Sequence, residues 1–187
     1  MSASDQAETL MRAALPLLAS GDWAAAAASL EQAATLHAAQ GRSEDQARCL
    51  QLAATLRRAA GEPEAAQLLT ANTSVTAPDN LPLSVAILAE RAMSAAAQGK
   101  HEDAAALFGE SLKKAREAGL NADAQIALLR RRTAAHIAFG ALAKAEADVA
   151  SACALADPRV GGFLRVEHAR LLLDADHAAE AARASVG

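Results

Sequence analysis

The sequence predicts an all-α fold, a solenoid in which pairs of antiparallel helices stack along the chain. The first observation behind this prediction is composition: the 187 residues include 55 alanines and 25 leucines, which are strong helix formers, and only four aromatic residues. A sheet protein of this length would use many more valine, isoleucine, threonine and aromatic residues, so the composition excludes β and α/β architectures. The length suits one domain or one short array of repeats.

The second observation is an internal repeat of about 40 residues that is marked by glycines. Each marker follows a helical run of about three turns and precedes a second, alanine-rich run, which is typical of helix-turn-helix units with glycine at the turn. The markers are Gly21, Gly61, Gly99 and Gly140, with Asp176 in an equivalent setting further on.

Small residues recur in register with these markers. A small residue lies seven positions before each marker, at Ala14, Ala54, Ala92, Thr133 and Ala169. Alanine lies five positions after each marker, at Ala26, Ala66, Ala104, Ala145 and Ala181. Because two helices cross closely only where side chains are small, we expect these positions to be the places where helices touch.

The stretch from Gly99 to Phe108, with Ser111 beyond it, resembles the turn and second helix of a tetratricopeptide repeat. That family has glycine at the turn, alanine five residues later, a large apolar residue nine later and a small one twelve later. The same four positions are matched by Gly21, Ala26, Leu30 and Ala33, and again by Gly140, Ala145, Val149 and Ala152. The resemblance extends from about Gln6 to Arg183 and implies a right-handed superhelix. A period near 40 instead of about 34 resembles the longer variant of bacterial regulators and light-chain-type adaptors.

On this resemblance the chain is a single domain, 1–187, of about four and a half helix pairs. The units in order are 6–42, 43–72, 82–119, 121–157 and 160–187. The segment 72–82 contains two prolines and few helix formers, so we interpret it as a connector, with a hinge or subdomain boundary as the alternative. The last unit leaves only a short helix after Asp176, without a polar cap. We therefore expect this end to pack on another chain or on a second copy.

No residue pattern points to catalysis, and the sequence predicts no enzyme, no cofactor and no metal. The chain has no H-E-x-x-H motif, no glycine-rich phosphate loop and no G-x-S-x-G setting. The histidines have no pair at the i,i+4 spacing of a helical metal site; they are His37, His101, His136, His168 and His177.

Charge and cysteine content restrict the class of partner and the compartment. A net charge of −4 disfavours nucleic acid as a partner, including the RNA bound by some helical repeats. Cys49 and Cys153 lack a C-x-x-C spacing and are expected as thiols in a reducing compartment, with a disulfide or redox switch as the alternative. No signal peptide and no membrane-type stretch is recognisable, so we expect a soluble cytoplasmic protein.

The first helices of the units carry ten arginines and no lysine. In the tetratricopeptide family the first helices line a concave face that receives ligands, and arginine grips carboxylates bidentately. This suggests a concave groove for a partner segment, acidic or C-terminal, with its contacts at Arg58, Arg91, Arg130, Arg170 and Met93. Met11, Leu15 and Leu18 would extend an apolar inner patch. The alternative is that the arginines lie on solvated faces and the apolar residues form a core stripe.

The function that follows is a non-catalytic protein–protein interaction module, acting as an adaptor, a scaffold or a chaperone. The alternative is a sensor or regulatory array of a bacterial signalling system that binds a peptide or a small ligand.

Overall fold

The computed structural model describes the backbone of residues 3–71, 73 and 80–184, and the side chains of 4–71, 73 and 80–176. Over these ranges the chain forms nine α helices and no strand, which confirms the predicted all-α fold class. The helices are α1 (Ala3–Ser20), α2 (Trp23–Ala39), α3 (Ser43–Ala59), α4 (Pro63–Ala71), α5 (Leu81–Ala97), α6 (His101–Glu117), α7 (Ala122–Ala138), α8 (Leu142–Leu155) and α9 (Pro158–Ala184).

The chain divides into two compact units. The first, Met1–Lys100, contains α1 to α5, and the second, His101–Gly187, contains α6 to α9. Within each unit consecutive helices pack in chain order, as in an all-α solenoid, and first helices also contact each other, α3 with α5 and α7 with α9. The right-handed superhelix stays a prediction. So does the boundary at 72–82, where residue 72 and residues 74–79 lie outside the described ranges.

Glycine ends six of the helices by the same hydrogen-bonding pattern. The glycine amide donates to the carbonyl three residues back, and the next amide donates to the carbonyl five residues back, as Gly61 and Glu62 do to Arg58 and Arg57. This arrangement needs a positive φ, which a side chain makes unfavourable. The glycines, with φ between 64° and 84°, are Gly21, Gly41, Gly61, Gly99, Gly119 and Gly140. Gly41 and Gly119 end second helices, so glycines mark the half-period of the repeat as well.

The prediction of a turn at Asp176 is wrong, because α9 continues through this residue to Ala184. Six other turns use glycine, whereas the residues around Asp176 all carry a Cβ and are dominated by alanine, which favours a continued helix. The fifth unit is therefore one long helix over its described part. The side chain of Ala181 and the end of the expected final helix, residues 185–187, lie outside the described residues.

The core is built largely from alanine. The four described alanines that follow the glycine markers by five residues, Ala26, Ala66, Ala104 and Ala145, have no exposed surface. The small residues that precede the glycines, Ala14, Ala54, Ala92 and Thr133, are also buried. Ala169, the equivalent residue of α9, is exposed, in keeping with the absence of a turn and a second helix after it in the described chain. Alanine thus occupies the positions where helix backbones approach most closely.

No helix in the described part of the chain combines the length and the apolar character that crossing a bilayer requires.

Candidate functional site

Arg58, one of the predicted ligand contacts, forms an ion pair with Glu90. Its Nε donates to Glu90 Oε1 over 2.7 Å, linking α3 to α5, and the Glu90 side chain is only 1% exposed. Thr55 Oγ1 donates to the second carboxylate oxygen over 3.0 Å. Because Glu90 is buried, Arg58 neutralises a charge that water cannot reach.

Arg130 is engaged in the same way within the second unit. Its guanidinium donates to both carboxylate oxygens of Glu167, with 2.7 Å between Nε and Oε2, and links α7 to α9. The hydrogen bond to Glu167 is the main reason why the pKa of Arg130 is raised. Two of the four predicted contact arginines therefore already hold a carboxylate of the chain itself.

The other predicted contact residues are not held by an ion pair within the described chain. Arg91 and Met93 lie half-buried on α5 and Arg170 is exposed on α9; neither arginine has a carboxylate partner among the described residues. Arg58, Arg91 and Met93 belong to the first unit, whereas Arg130 and Arg170 belong to the second. A single groove lined by all five residues stays a prediction.

A buried ion pair that the sequence analysis did not anticipate joins α7 to α8. Arg132 donates through two nitrogens to Asp148, which is buried, with 2.8 Å between Nε and Oδ2. His136 Nε2 lies 3.7 Å from the same carboxylate. Gly109 on α6 faces this pair, since a Cβ there would lie 3.3 Å from Arg132 Nη1. Gly109 lies inside a helix and not at a turn, and such a glycine in the sequence indicates that a neighbouring group approaches the helix closely.

An open cleft of about 410 Å³ lies between the first helices α1 and α3, and we call it the α1–α3 cleft. Met11 of α1 and Leu52 of α3 line it and are both well exposed. Met11 belongs to the apolar inner patch that the sequence predicts, as does Leu15, which is also exposed on α1. The cleft thus presents apolar side chains to solvent on the face formed by first helices.

The floor of the α1–α3 cleft contains polar groups without partners. His37, from the last turn of α2, is only 5% exposed, and neither of its ring nitrogens has a hydrogen-bond partner in the described structure. Nε and Nη2 of Arg42, in the turn after α2, are also buried and without one. Buried polar groups are satisfied in the great majority of cases, so four such atoms at one cleft are unusual.

Burial sets the protonation of the two titratable groups at this floor. Desolvation, followed by the charge of Arg42, lowers the pKa of His37 from its usual 6.5, with Asp45 opposing the shift. The imidazole is therefore neutral at pH 7 and offers one donor and one acceptor. Burial likewise raises the pKa of Cys49, which keeps this residue a thiol.

The charged residues lining the α1–α3 cleft balance each other. Two arginines, Arg42 and Arg48, are matched by two carboxylates, Glu8 and Asp45. Each of these charges has an opposite charge on its own helix or turn: Arg12 with Glu8 (2.6 Å), Arg48 with Glu44 (2.6 Å) and Arg42 with Asp45 (3.9 Å). The cleft consequently has no excess charge with which to attract an ion.

No model of a protein family and no curated protein matches this chain.

Proposed function

We propose that this protein is a non-catalytic protein–protein interaction module, an adaptor, scaffold or chaperone, and that a segment of its partner binds in the α1–α3 cleft. The observation that carries this proposal is the combination of exposed Met11 and Leu52 with the unpartnered polar atoms of His37 and Arg42. Apolar walls with a few convergent polar groups are the usual composition of a binding site.

The chemistry of the cleft selects the kind of segment. Since the cleft has no excess charge, we propose an uncharged peptide segment whose aliphatic side chain contacts Met11 and Leu52.

We also propose that the helix pairs are tetratricopeptide-like. This is supported by the glycine turns, by the complete burial of the alanine five residues after each of the four glycines that end first helices, and by the contacts between first helices α3 and α5 and between α7 and α9. A cytoplasmic location is supported by Cys49 and Cys153, both free thiols, which are typical of a reducing compartment.

Capture of partners from native lysate by the full chain tests the site. Leu52→Glu places a charge in the cleft, and Leu142→Glu on α8 is its matched control, because the two leucines are 47% and 46% exposed. We expect mass spectrometry to identify proteins that the wild type and Leu142→Glu retain and that Leu52→Glu loses at least tenfold. Circular dichroism should show equal helicity for all three.

Retention of the same proteins by all three chains would show that the α1–α3 cleft is not the binding site. Salt distinguishes the proposed uncharged segment from an acidic one. Raising sodium chloride from 0.1 to 0.5 M shortens the screening length about twofold, so it weakens binding that depends on ion pairs. We expect the captured amount to change less than about threefold, as for a contact without net charge.

A further inference from the structure

One side of α9 is apolar and faces solvent, and we call it the α9 stripe. Its members, Val160, Phe163, Val166 and Leu173, are 41%, 61%, 69% and 55% exposed. Spacings of three, three and seven residues keep them along one side of a helix. Leu164, about 100° around the helix from Phe163, is only 4% exposed. An apolar face of this kind marks a surface that another molecule covers.

Charges at the two ends of the α9 stripe indicate which molecule covers it. Arg159 immediately precedes the stripe, Asp174 immediately follows it, and Arg170 lies within it; all three side chains are exposed. Fifteen helical residues separate Arg159 from Asp174, about 22 Å, so these two charges cannot meet within one chain. The stripe therefore has a positive charge at its first end, and its only negative charge, Asp174, lies at the other end, one turn after Arg170.

We propose that two copies of this chain pair through their α9 stripes, antiparallel, about a twofold axis between Val166 and Glu167. In this register Arg159 lies opposite Asp174 of the second copy, and Val160 opposite Leu173. Phe163 then lies opposite Arg170 of the second copy, a pairing in which a guanidinium is attracted to an aromatic ring. Every contact occurs twice, as in an isologous dimer.

The charges disfavour the parallel alternative. Parallel pairing in register would place Arg159 against Arg159 and Asp174 against Asp174, which is repulsive at both ends. The pairing is independent of the α1–α3 cleft and adds a second copy of the chain to the partner proposed above. Because one helix face is a small interface, we expect a weak dimer, with a Kd on the order of 10 µM.

Sedimentation equilibrium of the full chain between 1 and 500 µM tests this pairing. We expect the wild type to change from monomer to dimer over this range. Val166→Glu places two carboxylates together at the axis and should raise the Kd at least tenfold. Leu68→Glu on α4 is the matched control, since Leu68 is 71% exposed and lies outside the stripe; it should dimerise as the wild type does.

A charge exchange tests the antiparallel register. Arg159→Asp and Asp174→Arg should each weaken the dimer severalfold, and the double variant should restore the wild-type Kd. Both side chains are exposed, so we expect these variants to fold. A strict monomer at 500 µM, a dimer that Val166→Glu leaves intact, or a double variant no better than the single ones would each overturn the proposal.

Discussion

At the scale of single residues, arginines of similar sequence context have different roles because their carboxylate partners lie in different places. Arg12 pairs with Glu8 on its own helix, where both side chains are well exposed, whereas Arg58 pairs with buried Glu90 on another helix. Inspection of one helix predicts the first kind of pair. It misses the second, because Glu90 lies 32 residues further along the chain.

Removal of Arg58 should therefore destabilise the protein far more than removal of Arg12. Arg58→Ala leaves a buried carboxylate without its cation, and we expect the free energy of unfolding to fall by about 2 kcal/mol or more. Arg12→Ala breaks an exposed i,i+4 pair, for which we expect less than about 0.5 kcal/mol. Urea unfolding followed by circular dichroism measures both, and equal losses would contradict the structural role of Arg58. The contact between Arg58 and Glu90 also makes Arg58→Glu a poor test of ligand binding, because this substitution would place two carboxylates together.

At the scale of helices, the sequence predicts turns well where glycine makes them. Gly21, Gly61, Gly99 and Gly140 end first helices through a positive φ that only glycine adopts at low cost. Spacing alone was a weaker guide: Asp176 has the expected spacing but lies within α9. Exposed surface is harder still to predict from helical periodicity, since an apolar residue on one helix face has the same pattern in a core and at an open cleft.

Two glycine substitutions should change stability in opposite directions. A Cβ at Gly61 or at Gly162 meets no atom within 4 Å, so backbone conformation alone decides the effect. Gly61 has φ +84°, and we expect Gly61→Ala to lower the free energy of unfolding by about 1 kcal/mol. Gly162 lies in helix α9, where alanine is the better helix former, so Gly162→Ala should raise it by about 0.5 kcal/mol or more. Thermal unfolding compares them, and a change of the same sign in both would contradict the assigned turn.

At the scale of the whole molecule, composition predicts the fold class because alanine serves two purposes at once. It favours helix, and at the buried positions after the turns it lets helix pairs approach closely. The candidate site is less predictable. Arg58 and Met11 were expected on one ligand-binding face, yet only the packing shows that Arg58 is held by Glu90 whereas Met11 borders an open cleft. The distinction depends on which helices contact each other, and no single helix contains that information.

Acid should destabilise the whole molecule, since each of its two compact units contains a buried neutral histidine. Burial is the largest cause of the lowered pKa of both His37, which faces Arg42 and Asp45, and His136, which faces Asp148, Arg132 and Lys144. An unfolded chain binds protons near the usual pKa of 6.5, before the folded histidines do. These groups therefore contribute full stability above about pH 7.5, and their contribution falls as the pH drops through 6.5. Thermal unfolding between pH 7.5 and 5.5, above the usual carboxylate range, measures this fall. The double variant His37→Asn/His136→Asn should show a flatter pH dependence whatever its absolute stability, and a slope equal to that of the wild type would show that other groups cause the effect.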